Sequence, residues 1–157
     1  MKATRIFRWL LIILVGAFVI IQFIRPSRAN PPVDPARTIE SQLQVPQPVT
    51  AIMDRSCNDC HSNKTVWPWY TNVAPVSWFI ANHVNEARRD MNFSQWADYD
   101  KDKQSRRLRD ICEQVSDGEM PLSTYTPLHA GSKLSGDQVK VLCDWANAER
   151  DRLRNSQ

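Results

Sequence analysis

Sorted into apolar and polar positions, the chain divides into three stretches. Trp9 to Ile24 is a run without a charged side chain, WLLIILVGAFVIIQFI, flanked by Arg8 and Arg25. As a helix it rises about 24 Å, short of a hydrocarbon core of roughly 30 Å. Ile6 and Phe7 lie beyond Arg8, whose aliphatic stem lets its charge reach the interface, so a span over about residues 6–24 is expected. Residues 30–48 follow with no apolar periodicity. Six of the ten prolines lie between residues 25 and 48, which predicts an extended, partly polyproline tether.

From Val49 apolar residues return at helical spacing. One helix is predicted over Val49–His61, with Ile52, Met53, Ser56, Cys57 and Cys60 on one face, and a second over Val76–Asp90, with Val76, Phe79, Ile80, His83 and Ala87 together. A third covers about Asp102–Val115, its face made by Leu108, Ile111, Cys112 and Val115, and Gly118 ends it. The last begins near Ser135, where Ser135 and Gln138 form a capping box, and presents Val139, Leu142, Cys143 and Ala146. The charged tail Glu149–Gln157 is expected to fray. With no sustained alternation, the fold class is all-α: a helical domain over 49–157 behind a signal anchor over 1–29 and a linker over 30–48.

Charge adds a compartment question. Residues 1–29 hold five basic side chains and no acid, while the remainder holds 15 basic and 17 acidic. The formal +3 therefore belongs to the N-terminal segment, and the near-neutral domain does not support nucleic-acid binding. Basic residues on both sides of the apolar run set its orientation weakly. Ser27 and Ala29 have the spacing of a cleavage site, but Arg25, Pro26 and Arg28 crowd it, and a retained anchor is the preferred reading.

The candidate chemistry begins at Cys57-Asn58-Asp59-Cys60-His61. C-x-x-C-H is the attachment pattern of a c-type haem. The two thiols add to the porphyrin vinyl groups, and the adjacent imidazole binds iron. Residues three and four apart share a helix face, so Cys57, Cys60 and His61 point one way. A zinc site needs further ligands, and Cys112, Cys143, His83 and His129 stand singly. A thioredoxin-like redox pair follows a strand, and no strand pattern precedes Cys57. Haem attachment occurs outside the bacterial cytoplasm, which predicts a periplasmic domain on a single-pass inner-membrane anchor.

The residue opposite His61 separates electron transfer from ligand chemistry. Met120 is the first candidate for that sixth ligand, in an irregular segment between Gly118 and Pro121, with His129 and Met91 behind it. Met53 is read as core. Trp67, Trp69 and Tyr70, in the loop Trp67-Pro68-Trp69-Tyr70, are candidate walls for a flat macrocycle, and His83, an imidazole on an apolar stripe, is read as a core residue of the haem environment with iron ligation as the lesser alternative. His129 is a candidate hydrogen-bond donor to a haem propionate or to a loop carbonyl. Cys112 and Cys143 sit on inward helix faces and suit either a disulfide or two buried thiols.

These residues resemble a bacterial haem-binding domain family with a single C-x-x-C-H, in the style of class I cytochromes c. The matching segments are CNDCHSN (57–63), WPWY (67–70), APVSW (74–78), HV (83–84), NFS (92–94), GEMPL (118–122), Tyr125, His129, LS (134–135) and DWA (144–146). The resemblance implies one haem on Cys57, Cys60 and His61, with Met120 carried over less securely, and it names no partner or reaction. The function expected is one-electron transfer to an unidentified redox protein, without substrate turnover; the alternative is a haem-based sensor with an open sixth position.

Overall fold

The computed structural model describes residues 2–155. Among them every regular element is helical: α1 Lys2–Ile21, α2 Ile39–Gln42, α3 Gln47–Ser56, α4 Asn58–His61, α5 Val76–Asp90, α6 Lys101–Ser116 and α7 Gly136–Asn155, with short 3-10 turns between them. The chain forms two compact units, one from residues 1–29 and 66–86 and one from 30–65 and 87–157.

In the first unit, α1 exposes its apolar side chains along its length, and its Ala3–Ile21 stretch has a mean hydropathy of 2.2. It is long and apolar enough to cross a membrane, as a retained span or a signal sequence. The chain leaving it is tied to residues 71–78. The Gln22 side chain accepts from the Ala74 N–H at 2.8 Å and donates to the Ala74 carbonyl at 3.2 Å. Arg28 donates to the Thr71 carbonyl, and the Trp78 indole donates to the Ile24 carbonyl at 2.7 Å.

The second unit holds the main core, with Ile39, Val49, Ile52, Met53, Phe93, Trp96, Leu108, Ile111, Leu142 and Trp145 packed together. Asp100 caps α6 by accepting from the Lys103 N–H. Gly118, at φ +73°, takes the left-handed position after α6, and the Glu119 N–H returns to the Gln114 carbonyl, the closing bond of a Schellman turn. The expected capping box is formed: the Ser135 N–H donates to Gln138 Oε1, and the Gln138 N–H donates to Ser135 Oγ. α6 packs along α7, and Cys112 is bridged to Cys143 across that contact.

Four expectations change. α5 buries Ser77, Ala81 and Val84, while Val76 and Phe79 of the expected apolar face are exposed. Residues 30–48 are not a free tether. Ile39 is 0% exposed and Leu43 joins the core. Asn30 donates to the Thr65 carbonyl, Asn63 to the Pro32 carbonyl, and the Trp145 indole to the Gln44 carbonyl, while Arg37 pairs with Asp98. The helix expected over Val49–His61 breaks at Cys57, whose φ/ψ of −128°/−42° separates α3 from α4. The charged tail stays helical to Asn155, because Glu149 is buried on α7 and pairs with Arg152. Ser156 and Gln157, which the fraying reading also covered, lie outside the described residues.

Candidate functional site

The break at Cys57 organises the site. The Cys57 N–H closes the end of α3 on the Met53 carbonyl, and its own carbonyl accepts from the Cys60 and His61 N–H groups at 3.1 and 2.9 Å. Cys57, Cys60 and His61 are therefore set on one tight turn, fixed at both ends. Asn58 donates to Asp54 at 2.6 Å, Ser62 Oγ to the Asn58 carbonyl at 2.6 Å, and Thr65 Oγ1 to the Asp59 carbonyl at 2.6 Å. These bonds satisfy the Asn58 amide donor and the Asn58 and Asp59 carbonyls of a turn too short to satisfy itself, while Asn58 Oδ1 is buried without a partner among the described residues.

His61 is oriented from behind. Its Nδ1 lies 3.1 Å from the Met91 carbonyl, which can only accept, so Nδ1 carries the proton and Nε2 keeps its lone pair. Burial pushes the imidazole below its usual range, partly opposed by backbone hydrogen bonds to Met91 and Ala87. A neutral ring with a free Nε2 is the form a metal takes. Phe93 packs beside it, ring centroids 5.9 Å apart.

The segment supplying that carbonyl is held by side chains that the helical pattern does not single out. Asn92 Oδ1 accepts from the Ser94 N–H, and Asn92 Nδ2 donates to Asn63 Oδ1, both at 2.9 Å. Ser94 Oγ accepts from the Asn63 N–H. Arg88 donates to the Ser62 carbonyl, Asn30 Oδ1 and Thr65 Oγ1 at 2.7–2.8 Å. The loop after His61 and the Met91–Ser94 segment are thus one hydrogen-bonded block. The signal for it was N-F-S, an Asx-turn pattern.

In front of His61 lies a cavity of about 300 Å³, within the range of small-molecule and cofactor sites. Its wall is largely apolar: Met53, Phe93, Ile111, Val115, Met120, Pro121, Leu134 and Leu142, together with Cys57 and His61. Asp90, Arg107, Asp110 and Gln114 supply its polar part. Arg107 pairs with Asp110 at 3.1 Å and with Asp90 at 3.8 Å. Both site cysteines are free thiols. Burial, with Cys60 nearby, pushes Cys57 up to about 12. Burial and Asp59 push Cys60 up to about 11, against the opposing charge of Arg88. Without a cofactor both are neutral thiols at physiological pH.

The structure thus brings His61, Cys57 and Met120 to one cavity, with Cys60 on the same turn as Cys57. Trp67, Trp69, Tyr70 and His83 belong to the first unit, in which Ala74, Thr71 and Trp78 bond to the chain leaving α1 and His83 packs on Phe79. His129 lies outside the cavity wall, stacked on Tyr125 at 3.7 Å with its Nδ1 against the Tyr125 carbonyl. Tyr125 in turn donates to Asp59 at 2.7 Å. Met91 contributes its carbonyl rather than its sulfur. Among the described residues no three His, Cys, Asp or Glu side chains gather to hold a metal ion, so the further ligands of a zinc site are not assembled.

A flat apolar group with an iron centre fits this donor set: an apolar slot, a neutral imidazole with its free nitrogen, two free thiols on one turn and a thioether in the wall. The family described as haem-binding domain matches residues 16–148, most of the chain. Comparison with curated proteins and with solved structures found no match.

Proposed function

We propose that this chain, which belongs to the haem-binding domain family, is a membrane-anchored, periplasmic c-type cytochrome that carries single electrons. Haem supplies a reversible one-electron iron couple. Cys57 and Cys60 hold its edge as thioethers, and His61 binds the iron through Nε2 while the Met91 carbonyl fixes its proton on Nδ1. Met120 offers a soft thioether that favours reduced iron and raises its potential. Phe93, Ile111, Val115, Leu134 and Leu142 keep water from the macrocycle. Arg107, held between Asp90 and Asp110, is the cation at the cavity available to a propionate. The anchor is α1, and its retention places the cysteines where attachment occurs.

The observation that carries this reading is that Cys57, His61 and Met120 line one cavity while the His61 ring is already fixed in its ligating tautomer. The test is expression with a cytochrome c maturation system, followed by a haem stain of the denatured protein on a gel. Retained stain is expected, and its loss in a Cys57→Ser/Cys60→Ser variant. A colourless band for the unaltered chain refutes covalent attachment. Ready CO binding by the reduced protein at neutral pH moves the function to the sensor reading.

A further inference from the structure

From Thr65 to Asn85 the chain carries no Asp, Glu, Lys or Arg. Charged residues make up 24% of the whole, so a gap of 21 positions outside α1 is unusual. Three of the six tryptophans, Trp67, Trp69 and Trp78, lie inside it. Its surface is inverted for a face that meets water. Over the first turns of α5 the buried residues are Ser77 and Ala81, and the large apolar Val76 and Phe79 point outward. Those two are three apart and share a helix face. Exposure is 77% at Trp69, 71% at Val66 and 52% at Phe79. Single exposed apolar residues need no explanation, but burying serine while exposing phenylalanine loses hydrophobic free energy unless something apolar covers the ring.

The same unit indicates the cover. Gln22 and Arg28, immediately past α1, hold Ala74 and Thr71, and Trp78 holds the Ile24 carbonyl. The uncharged segment is thereby fastened where the apolar helix ends. If α1 crosses a bilayer, that end is at the membrane–water interface, where Trp and Tyr are enriched because their rings are apolar and their tips polar. We propose that residues 66–80 are an interfacial element, lying against the bilayer that α1 spans with Val66, Trp69, Val76 and Phe79 seated at the headgroup–acyl boundary. The occupant is lipid rather than a protein groove. The proposal rests on α1 being a retained span. Gln22 and Arg28 satisfy the Ala74 N–H and carbonyl and the Thr71 carbonyl at that depth, and the Trp78 indole satisfies the Ile24 carbonyl.

The test uses the haem-loaded full chain in vesicles of phosphatidylcholine and phosphatidylglycerol. The photoreactive residue p-benzoylphenylalanine replaces, one at a time, Trp69, Phe79 or Phe18 of α1. All three positions are exposed, so folding tolerates the exchange, and a far-ultraviolet dichroism spectrum matching the unaltered chain confirms it. After illumination, mass spectrometry reads the lipid adduct. Adducts at all three positions are expected. An adduct at Phe18 with none at Trp69 and Phe79 overturns the interfacial element and leaves the anchor standing. Adducts at Trp69 and Phe79 without one at Phe18 remove the span on which the proposal rests and overturn it, leaving a peripheral lipid contact in its place. No adduct anywhere removes both, and protein adducts in place of lipid at Trp69 or Phe79 overturn the assignment of lipid.

Discussion

Replacing Cys112 and Cys143 together by serine opens the bridge between α6 and α7 without adding bulk. The bridged residues are 31 apart in sequence. In the chain-entropy account, closing a loop of that size removes about 12 cal/mol/K from the unfolded ensemble, or ~3.7 kcal/mol at about 25 °C. Both sulfurs are only partly buried, and Ser116 Oγ lies within reach of each. The new hydroxyls therefore keep a polar neighbour, and little is lost in the folded state. With a urea slope of about 2 kcal/mol per molar, the unfolding midpoint should fall by about 2 M. The assay is urea unfolding of the haem-loaded full chain in mild detergent, followed by far-ultraviolet dichroism, for the unaltered and double-serine proteins and for the unaltered protein after disulfide reduction. The reduced and double-serine proteins should coincide. A fall smaller than about 0.5 M, near 1 kcal/mol, refutes the reasoning, because the bridge would then constrain little that the α6–α7 packing does not already hold.

Met120→Ala should keep the covalent haem and the fold, change the oxidised absorption spectrum and lower the potential as a thioether ligand is lost, and gain CO binding when reduced; an unchanged spectrum assigns the ligand elsewhere. Ile39→Ala should destabilise the domain by about 2–4 kcal/mol in thermal unfolding, because Ile39 is wholly buried; an effect near zero would restore the tether reading of residues 30–48. In the chain made without haem, Cys60 titrates near 11 rather than 9.0, so its thiolate at pH 8 is roughly 100-fold scarcer than in the unfolded chain. Alkylation at that pH should be slow in buffer and fast in urea, accelerating in buffer only as pH approaches 11. The sign for stability follows: the folded state holds these protons more tightly, so the haem-free domain is fully supported below pH 9 and loses that support as pH rises towards 12. Equal alkylation rates in buffer and urea would falsify the burial of the two thiols.

Much of this was legible in residue spacing, and the exceptions have physical causes. α6 and α7 follow apolar stripes long enough to set a period, and the Ser135–Gln138 box announced itself by residue type; α5 has the length of its prediction, but it buries Ser77, Ala81 and Val84 and leaves Val76 and Phe79 of the expected stripe exposed. Cys57, His61 and Met120 were found from local chemistry, and the fold joined two of them to the third. Residues 30–48 were misread because Ile39 and Leu43, four apart, are too few to establish a period among prolines, yet tertiary packing buries both. The helix break at Cys57 has no proline or glycine to mark it; it arises where a short turn must present thiols and imidazole together. The aromatic loop was read as a haem wall because flat side chains suit a macrocycle. It falls in the first unit, just before Thr71, Ala74 and Trp78, whose long-range bonds to Arg28, Gln22 and the Ile24 carbonyl no local pattern encodes. Asn92, Ser94 and Arg88 were overlooked because their role is to hold other residues.

The acceptor behind His61 is a peptide carbonyl, and every amino acid carries one. The side chain at position 91 can therefore change without altering the partner of His61 Nδ1. What counts at this point is the course of the backbone, guarded by the Asn92 turn. An engineer seeking to retune the His61 imidazole gains nothing by choosing a new side chain at 91. The handle is one residue further on, where loss of the Asn92 turn would swing the carbonyl away and free the ring to rotate.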